Sequence, residues 1–291
     1  MTYKQLGKKI FTLTLGGLTV TIWDSHVHLF PKKLLTAIFR WFSRNNWEIP
    51  YKNLNLEEYP EYLKNMGVEY AFLLTYAHKP NMSMELNKWV RDFCLQYTWF
   101  IPFACIHPGD NNLEENIRIV IDDWDFAGFK LQLPVQQFAA NDPALNAVYE
   151  KAHKRQKPVI IHAGTAPYSQ SDPLIGLVHL KDVLHRWPEL KVVIPHFGLY
   201  EVDEALAMVE KFPGVYLDTA WALGNPKENL PINYLAYYME KYPDRFLYGS
   251  DFPFIEQSPE EQLQTLLNMG LSDSTRSKVL YENARRLVGR D

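Results

Sequence analysis

A single-domain (β/α)8 barrel is the fold that this 291-residue sequence predicts. Three observations carry that expectation. Eight short apolar, β-branched or aromatic runs recur down the chain, stretches of helical periodicity separate them, and no Gly-rich phosphate loop of a doubly wound sheet appears. The length also suits one such barrel, which typically takes about 250 residues.

Ahead of the series, IFTLTL, Gly16-Gly17 and LTVTI read as a β-hairpin with a two-residue turn. Lys4, Lys8 and Lys9 before the uncharged run at 10–23 superficially resemble a signal peptide. No small-x-small cleavage site precedes Asp24, and cleavage there would cut into the motif Asp24-Ser25-His26-Val27-His28. The eight strand-like runs are 19–26, 70–76, 100–106, 128–133, 158–162, 192–196, 214–220 and 245–251. Several are continuously hydrophobic, as strands covered on both faces are. Helical periodicity fills 56–67, 86–97, 113–124, 145–156, 180–187, 202–212 and 232–242. A last helix spans 272–289, with Ser272 as its N-cap. The segment 29–69 is longer than a βα unit needs and holds Phe30, Phe39, Trp41, Phe42, Trp47, Tyr51 and Tyr59. It is either a lid or wall of a substrate pocket, or a hydrophobic plug or subunit contact. No linker or composition break divides the chain, so one domain spans 1–291.

Composition narrows the function classes. Thirty basic against 34 acidic side chains give a net charge of −4 without Lys/Arg clusters, which argues against nucleic acid as a partner. No other apolar stretch approaches the roughly 18 residues of a membrane helix. Cys94 and Cys105 are too few for a disulfide framework and lie among apolar residues, so they read as buried, inert thiols in a reducing compartment. A cytoplasmic protein, with homo-oligomerisation open, fits these numbers.

In an α/β barrel the chemistry sits where strands end. The first strand delivers His26 and His28, two apart and so on one side of a strand. The fifth ends in His162, the sixth in His196 and the eighth in Asp251. The eighth strand of a closed barrel lies beside the first, which brings Asp251 to the histidine pair. Any one strand-end histidine is as often a hydrogen-bonded core group. Four imidazoles and a carboxylate at the ends of an independently inferred barrel point instead to a divalent ion, zinc first, with manganese, iron or cobalt as alternatives.

The motifs WDSHVHLFP, AGFKLQLP, PVIIHAG, VVIPHFG, LYGSDFP and ENARRL, running in this order from 23 to 287, resemble the amidohydrolase-related branch of the metal-dependent amidohydrolase superfamily. That branch also contains aminocarboxymuconate-semialdehyde and resorcylate-type decarboxylases. The resemblance implies that His26, His28, His162 and Asp251 hold one catalytic ion. It makes His196 an acid/base beside the ion or a further ligand, with Asp251 moving the proton of an attacking water. Lys130 on the fourth strand has three readings: a carbamylated bridge between two ions, a positive charge for a substrate carboxylate, or a barrel lysine paired with an acidic group. His78 and Trp221 are candidate substrate contacts, His107 lines the pocket or caps a loop, and Asp218 reaches the mouth or makes a core hydrogen bond.

The leading expectation is a metal-dependent hydrolase of an amide, lactone or related ester, favoured by HAG after the fifth strand and GFK on the fourth. The alternative is a non-oxidative decarboxylase of a small unsaturated or aromatic carboxylic acid on the same site. A metal-stabilised binding protein without catalysis is disfavoured, because the strand-end ligands exceed what folding needs.

Overall fold

The computed structural model describes residues 14–15, 18–19, 21–169, 171–223 and 232–290. Strands β1 (Thr14–Leu15) and β2 (Leu18–Thr19) pair antiparallel, Leu15 against Leu18, as the hairpin reading requires. The rest of the run at 10–13, its turn glycines and the three lysines lie outside the described residues.

The eight expected strands follow in order: β3 (Ile22–Val27), β4 (Val68–Leu74), β5 (Phe100–Cys105), β6 (Gly128–Gln132), β7 (Val159–His162), β8 (Val192–Ile194), β9 (Val215–Asp218) and β10 (Phe246–Leu247). Each pairs in parallel with its sequence neighbour, from β3 round to β10. The last strand is short, and the chain just beyond it closes the ring. Tyr248 O accepts from Ser25 N at 2.9 Å, Asp251 N donates to His26 O at 2.8 Å, and His28 N donates to Phe252 O at 2.8 Å. This is a TIM barrel of one domain.

Alternate strand residues divide between two apolar clusters, as a period of two demands. Ala71 and Leu73, Val159 and Ile161, Val192 and Ile194 face the surrounding helices. Phe72 and Leu74, Ile160, Val193 and Leu247 fill the barrel with Trp23, Ile101 and Phe103. Ala284 and Leu287 of the helix Asn283–Leu287 join the inner cluster beside Tyr70 and Tyr216, near the starts of β4 and β9. That end is therefore plugged, and the strands' carboxyl ends are left for chemistry.

The helices sit where the periodicity places them, at Glu58–Asn65, Ser83–Gln96, Leu113–Arg118, Asn146–Arg155, Leu177–Arg186, Val202–Lys211 and Ile232–Lys241. Ser272 Oγ accepts from Thr275 N and starts the final one. Two helical runs widen into a π turn, at Ile119–Asp123 and Lys278–Glu282. Among the described residues, further helices fall outside the periodic stretches. Lys32–Arg44 lies in the aromatic segment, and Pro259–Leu267 begins at a capping box in which Ser258 and Glu261 satisfy each other's backbone.

The aromatic segment is a wall. Phe39 and Phe42 pack on Phe254 at 5.6 and 5.2 Å between ring centres, Trp47 on Trp221 at 5.9 Å, and Tyr51 on Phe252 at 4.8 Å. It folds across the chain that follows β9 and β10 and borders the barrel mouth. No helix among the described residues is long and apolar enough to cross a membrane.

Candidate metal centre

Three of the residues that form the centre stand in strained backbone. His196 (φ 58°), Trp221 (φ 57°) and Asp251 (φ 66°) adopt left-handed conformations at strand ends, a region that L residues enter at a cost. At His196 the strain continues through Phe197, Gly198 and Leu199, each with positive φ, so Pro195 ends the strand and the next residues turn sharply. Packing fixes that turn: a Cβ on Gly198 would meet Ala205 Cβ at 2.6 Å.

The strand ends bring the expected residues together. His26 and His28 converge although the β3–β4 register shifts between Asp24 and Val27, and their Nε2 atoms lie 3.1 Å apart. Asp251 Oδ1 is 3.1 Å from His28 Nε2 and 3.5 Å from His26 Nε2. One ligand atom from each of His26, His196 and Asp251 falls within 4.8 Å of the other two. His162 stacks edge-on against His196, ring centres 4.9 Å apart. His28, His162, His196 and Asp251 all line the cavity, with Phe42, Trp47, Tyr76, Tyr168, Trp221 and Phe254 among its walls.

The partners of the rings make them suitable ligands. His26 Nδ1 donates to Asp218 Oδ2 (2.7 Å), His28 Nδ1 to Leu74 O (2.6 Å) and His196 Nδ1 to Ala220 O (2.7 Å). Carboxylates and carbonyls only accept, so each Nδ1 carries the proton and each Nε2 keeps a lone pair facing inward. His162 Nδ1 meets the Gln132 side-chain amide at 3.0 Å. Burial pushes His26 and His162 well below the ordinary histidine range and lowers His28, which keeps the rings neutral, as an ion requires. These features fit a divalent ion held by His26, His196 and Asp251, with His28 and His162 at its side.

The other candidates are placed as follows. Lys130 is fully buried off the cavity wall, its Nζ 3.3 Å from His26 Nε2, and burial lowers it to about 8 against the raising influence of Asp218 and Asp251. Trp221 is on the wall. His78 is exposed and lines an adjacent groove that shares Phe42, Tyr76 and Tyr168 with the cavity. His107 is buried away from the cavity, where its Nδ1 accepts from Gly109 N.

Two positioning residues were not assigned from sequence. Asp218 holds His26 by Oδ2 and the backbone of His196 by Oδ1 (2.9 Å). It was seen as polar at a strand end, but nothing local names a partner 192 positions away. Gln132 stands two positions after Lys130, beside His162 in register, and only the strand pairing reveals it.

Solved structures with this architecture include an uncharacterised TIM-barrel protein from Bordetella bronchiseptica (21% identity, 93% of this chain and 99% of that one, TM-score 0.74). A 2,6-dihydroxybenzoate decarboxylase from Rhizobium matches at 16% identity, over 92% of this chain and 98% of that one, TM-score 0.66. A 5-carboxyvanillate decarboxylase from Novosphingobium aromaticivorans, complexed with manganese and 4-hydroxy-3-methoxy-5-nitrobenzoic acid, also matches at 16% identity. There the overlap is 92% of this chain and 96% of the other, TM-score 0.68. No curated protein matches the chain in sequence. The model of the amidohydrolase family matches residues 23–290, and the chain belongs to that family.

Proposed function

We propose that the protein is a metal-dependent, non-oxidative decarboxylase of a small aromatic or unsaturated carboxylic acid. The observation that carries this reading is a contrast: His26, His196 and Asp251 cluster as ligands, and aromatic rings supply most of the remaining wall of the cavity that His196 and Asp251 line. A planar acid placed there meets the ion with its polar end and rings with its flat faces. Those rings exclude water, which disfavours a localised carboxylate relative to a transition state whose charge spreads over an unsaturated system. Similarity to barrels that decarboxylate aromatic acids, one of them with manganese, supports the same class.

A bound divalent ion, zinc or manganese, supplies positive charge for the substrate's oxygens. His26 and His196 hold their Nε2 lone pairs toward it, and His28 and His162 complete the polar face. Asp251 directs Oδ1 at the histidines as a carboxylate, and its other oxygen is placed to relay a proton from solvent to the reacting carbon. The bond to the carboxyl carbon breaks, its electron pair passes to the ring or vinyl carbon, and that carbon takes the proton as CO2 leaves. Water supplies the relayed proton, and Asp251 ends the cycle as the carboxylate it began as. Lys130 compensates buried charge from Asp218 and Asp251.

Hydrolysis of an amide, lactone or ester is the second reading, favoured by the position of Asp251 beside the cluster, where it accepts a proton from an attacking water. Turnover of a panel of aromatic acids, lactones and amides by metal-loaded protein separates the two. Decarboxylation releases CO2 and, in deuterium oxide, leaves deuterium on the vacated carbon. Hydrolysis in ¹⁸O-water labels a product acid and releases no CO2, and that result would replace the first reading.

A further inference from the structure

Beyond the metal centre, the cavity holds a second polar feature. The indole N–H groups of Trp47 and Trp221 are both buried, and neither has an acceptor among the described residues. Buried indoles ordinarily find one. The two rings contact each other, 5.9 Å between centres, and both line the cavity that contains His28, His162, His196 and Asp251.

Both residues are held firmly, and only their N–H groups are left over. Trp221 sits in left-handed backbone, yet its main chain is satisfied: its N–H donates to Ser250 O, and its carbonyl accepts from Gln257 Nε2 at 2.6 Å. Trp47 N donates to Phe42 O at 2.9 Å, which fixes the turn after the helix Lys32–Arg44. Strained, over-determined backbone that presents an unspent donor is the pattern of a ligand contact.

We propose that Trp47 and Trp221 form an oxygen-recognition subsite for the substrate, donating their indole N–H groups to a hydroxyl, ether or second carboxylate on the ring, remote from the carboxyl group at the histidine cluster. The proposal rests on the aromatic-acid reading above and narrows it. Plain aromatic acids fill the walls but leave both donors unpaired, whereas acids with an oxygen substituent satisfy them.

Calorimetric binding to zinc-loaded protein tests this, with benzoate, 3- and 4-hydroxybenzoate, 3-methoxybenzoate, isophthalate and terephthalate as probes and Trp47→Phe and Trp221→Phe as variants. Phenylalanine keeps an aromatic ring on the wall while removing the donor and part of the indole's bulk, and benzoate affinity serves as the control for the lost bulk and for an intact fold. The wild type is expected to bind at least one oxygen-bearing acid about tenfold more tightly than benzoate. Each variant is expected to reduce that preference to about threefold or less and to leave benzoate within about twofold. A preference that survives both substitutions, an equal loss of benzoate, or no binding by any probe overturns the subsite. The subsite is read from binding and the reaction from CO2 release measured apart, so the two readings fail separately. An indole-dependent preference without CO2 release removes the decarboxylase and keeps the subsite; CO2 release with an indole-independent preference does the reverse.

Discussion

Asp218 accepts from His26 Nδ1 at 2.7 Å through one carboxylate oxygen and from the backbone N–H of His196 at 2.9 Å through the other. A single buried carboxylate on β9 thus orients two candidate ligands, one on β3 and one just past β8. In Asp218→Asn the amide can present an N–H to His26 Nδ1, which favours the tautomer whose proton occupies Nε2. Zinc affinity, read by calorimetric titration, is expected to fall by about 10- to 100-fold while the thermal unfolding signal remains cooperative. Unchanged affinity would make Asp218 a core hydrogen-bonding residue only.

Close packing against the same histidine gives a second expectation. A Cβ on Gly249 would lie 2.9 Å from His26 Cβ and 3.3 Å from Ala220 Cβ. Gly249→Ala should therefore displace His26, lowering metal affinity and costing roughly 1–3 kcal/mol of stability. Urea unfolding of wild type and variant checks the cost, and metal titration checks the displacement.

The wall over the barrel mouth is anchored by Phe252, which is fully buried and has its ring 4.8 Å from Tyr51, 5.0 Å from Tyr62 and 5.8 Å from Tyr59. Phe252→Ala leaves a cavity where the aromatic segment docks. A loss of about 3–5 kcal/mol in urea unfolding is expected, with faster proteolysis within 45–65. A loss no larger than that of an exposed residue would show that the segment is not held there.

The thiols supply a pH-dependent expectation. Burial pushes both Cys94 and Cys105 up to about 12, so little thiolate exists at neutral pH. Alkylation by iodoacetamide at about pH 8 should run on the order of a thousandfold slower in the native protein than in the denatured one. Below the raised value the rate should climb about tenfold per pH unit, because only the thiolate reacts. Native thiols that react as fast as denatured ones would contradict the burial.

What could be read from the sequence followed from periodicity. The eight strands show as apolar runs, and polar residues ending such runs single out His26, His28, His162, His196 and Asp251. Contacts between distant segments were not legible. Nothing near Asp218 names His26, and Gln132 finds His162 only through the β6–β7 register. The helix Lys32–Arg44 starts after Pro31 without a side-chain cap, although Leu35 and Phe39, four apart, do mark its buried face. The helix Pro259–Leu267 carries a local signal, Ser258 followed three residues later by Glu261.

Metal content tests the central claim most directly. After dialysis against zinc or manganese and removal of free ion, elemental analysis should find about one divalent ion per wild-type chain. Folded His26→Ala and Asp251→Asn should each hold less than about a tenth of that. A wild-type protein that retains no ion, or variants that retain it fully, would contradict a centre built from these side chains.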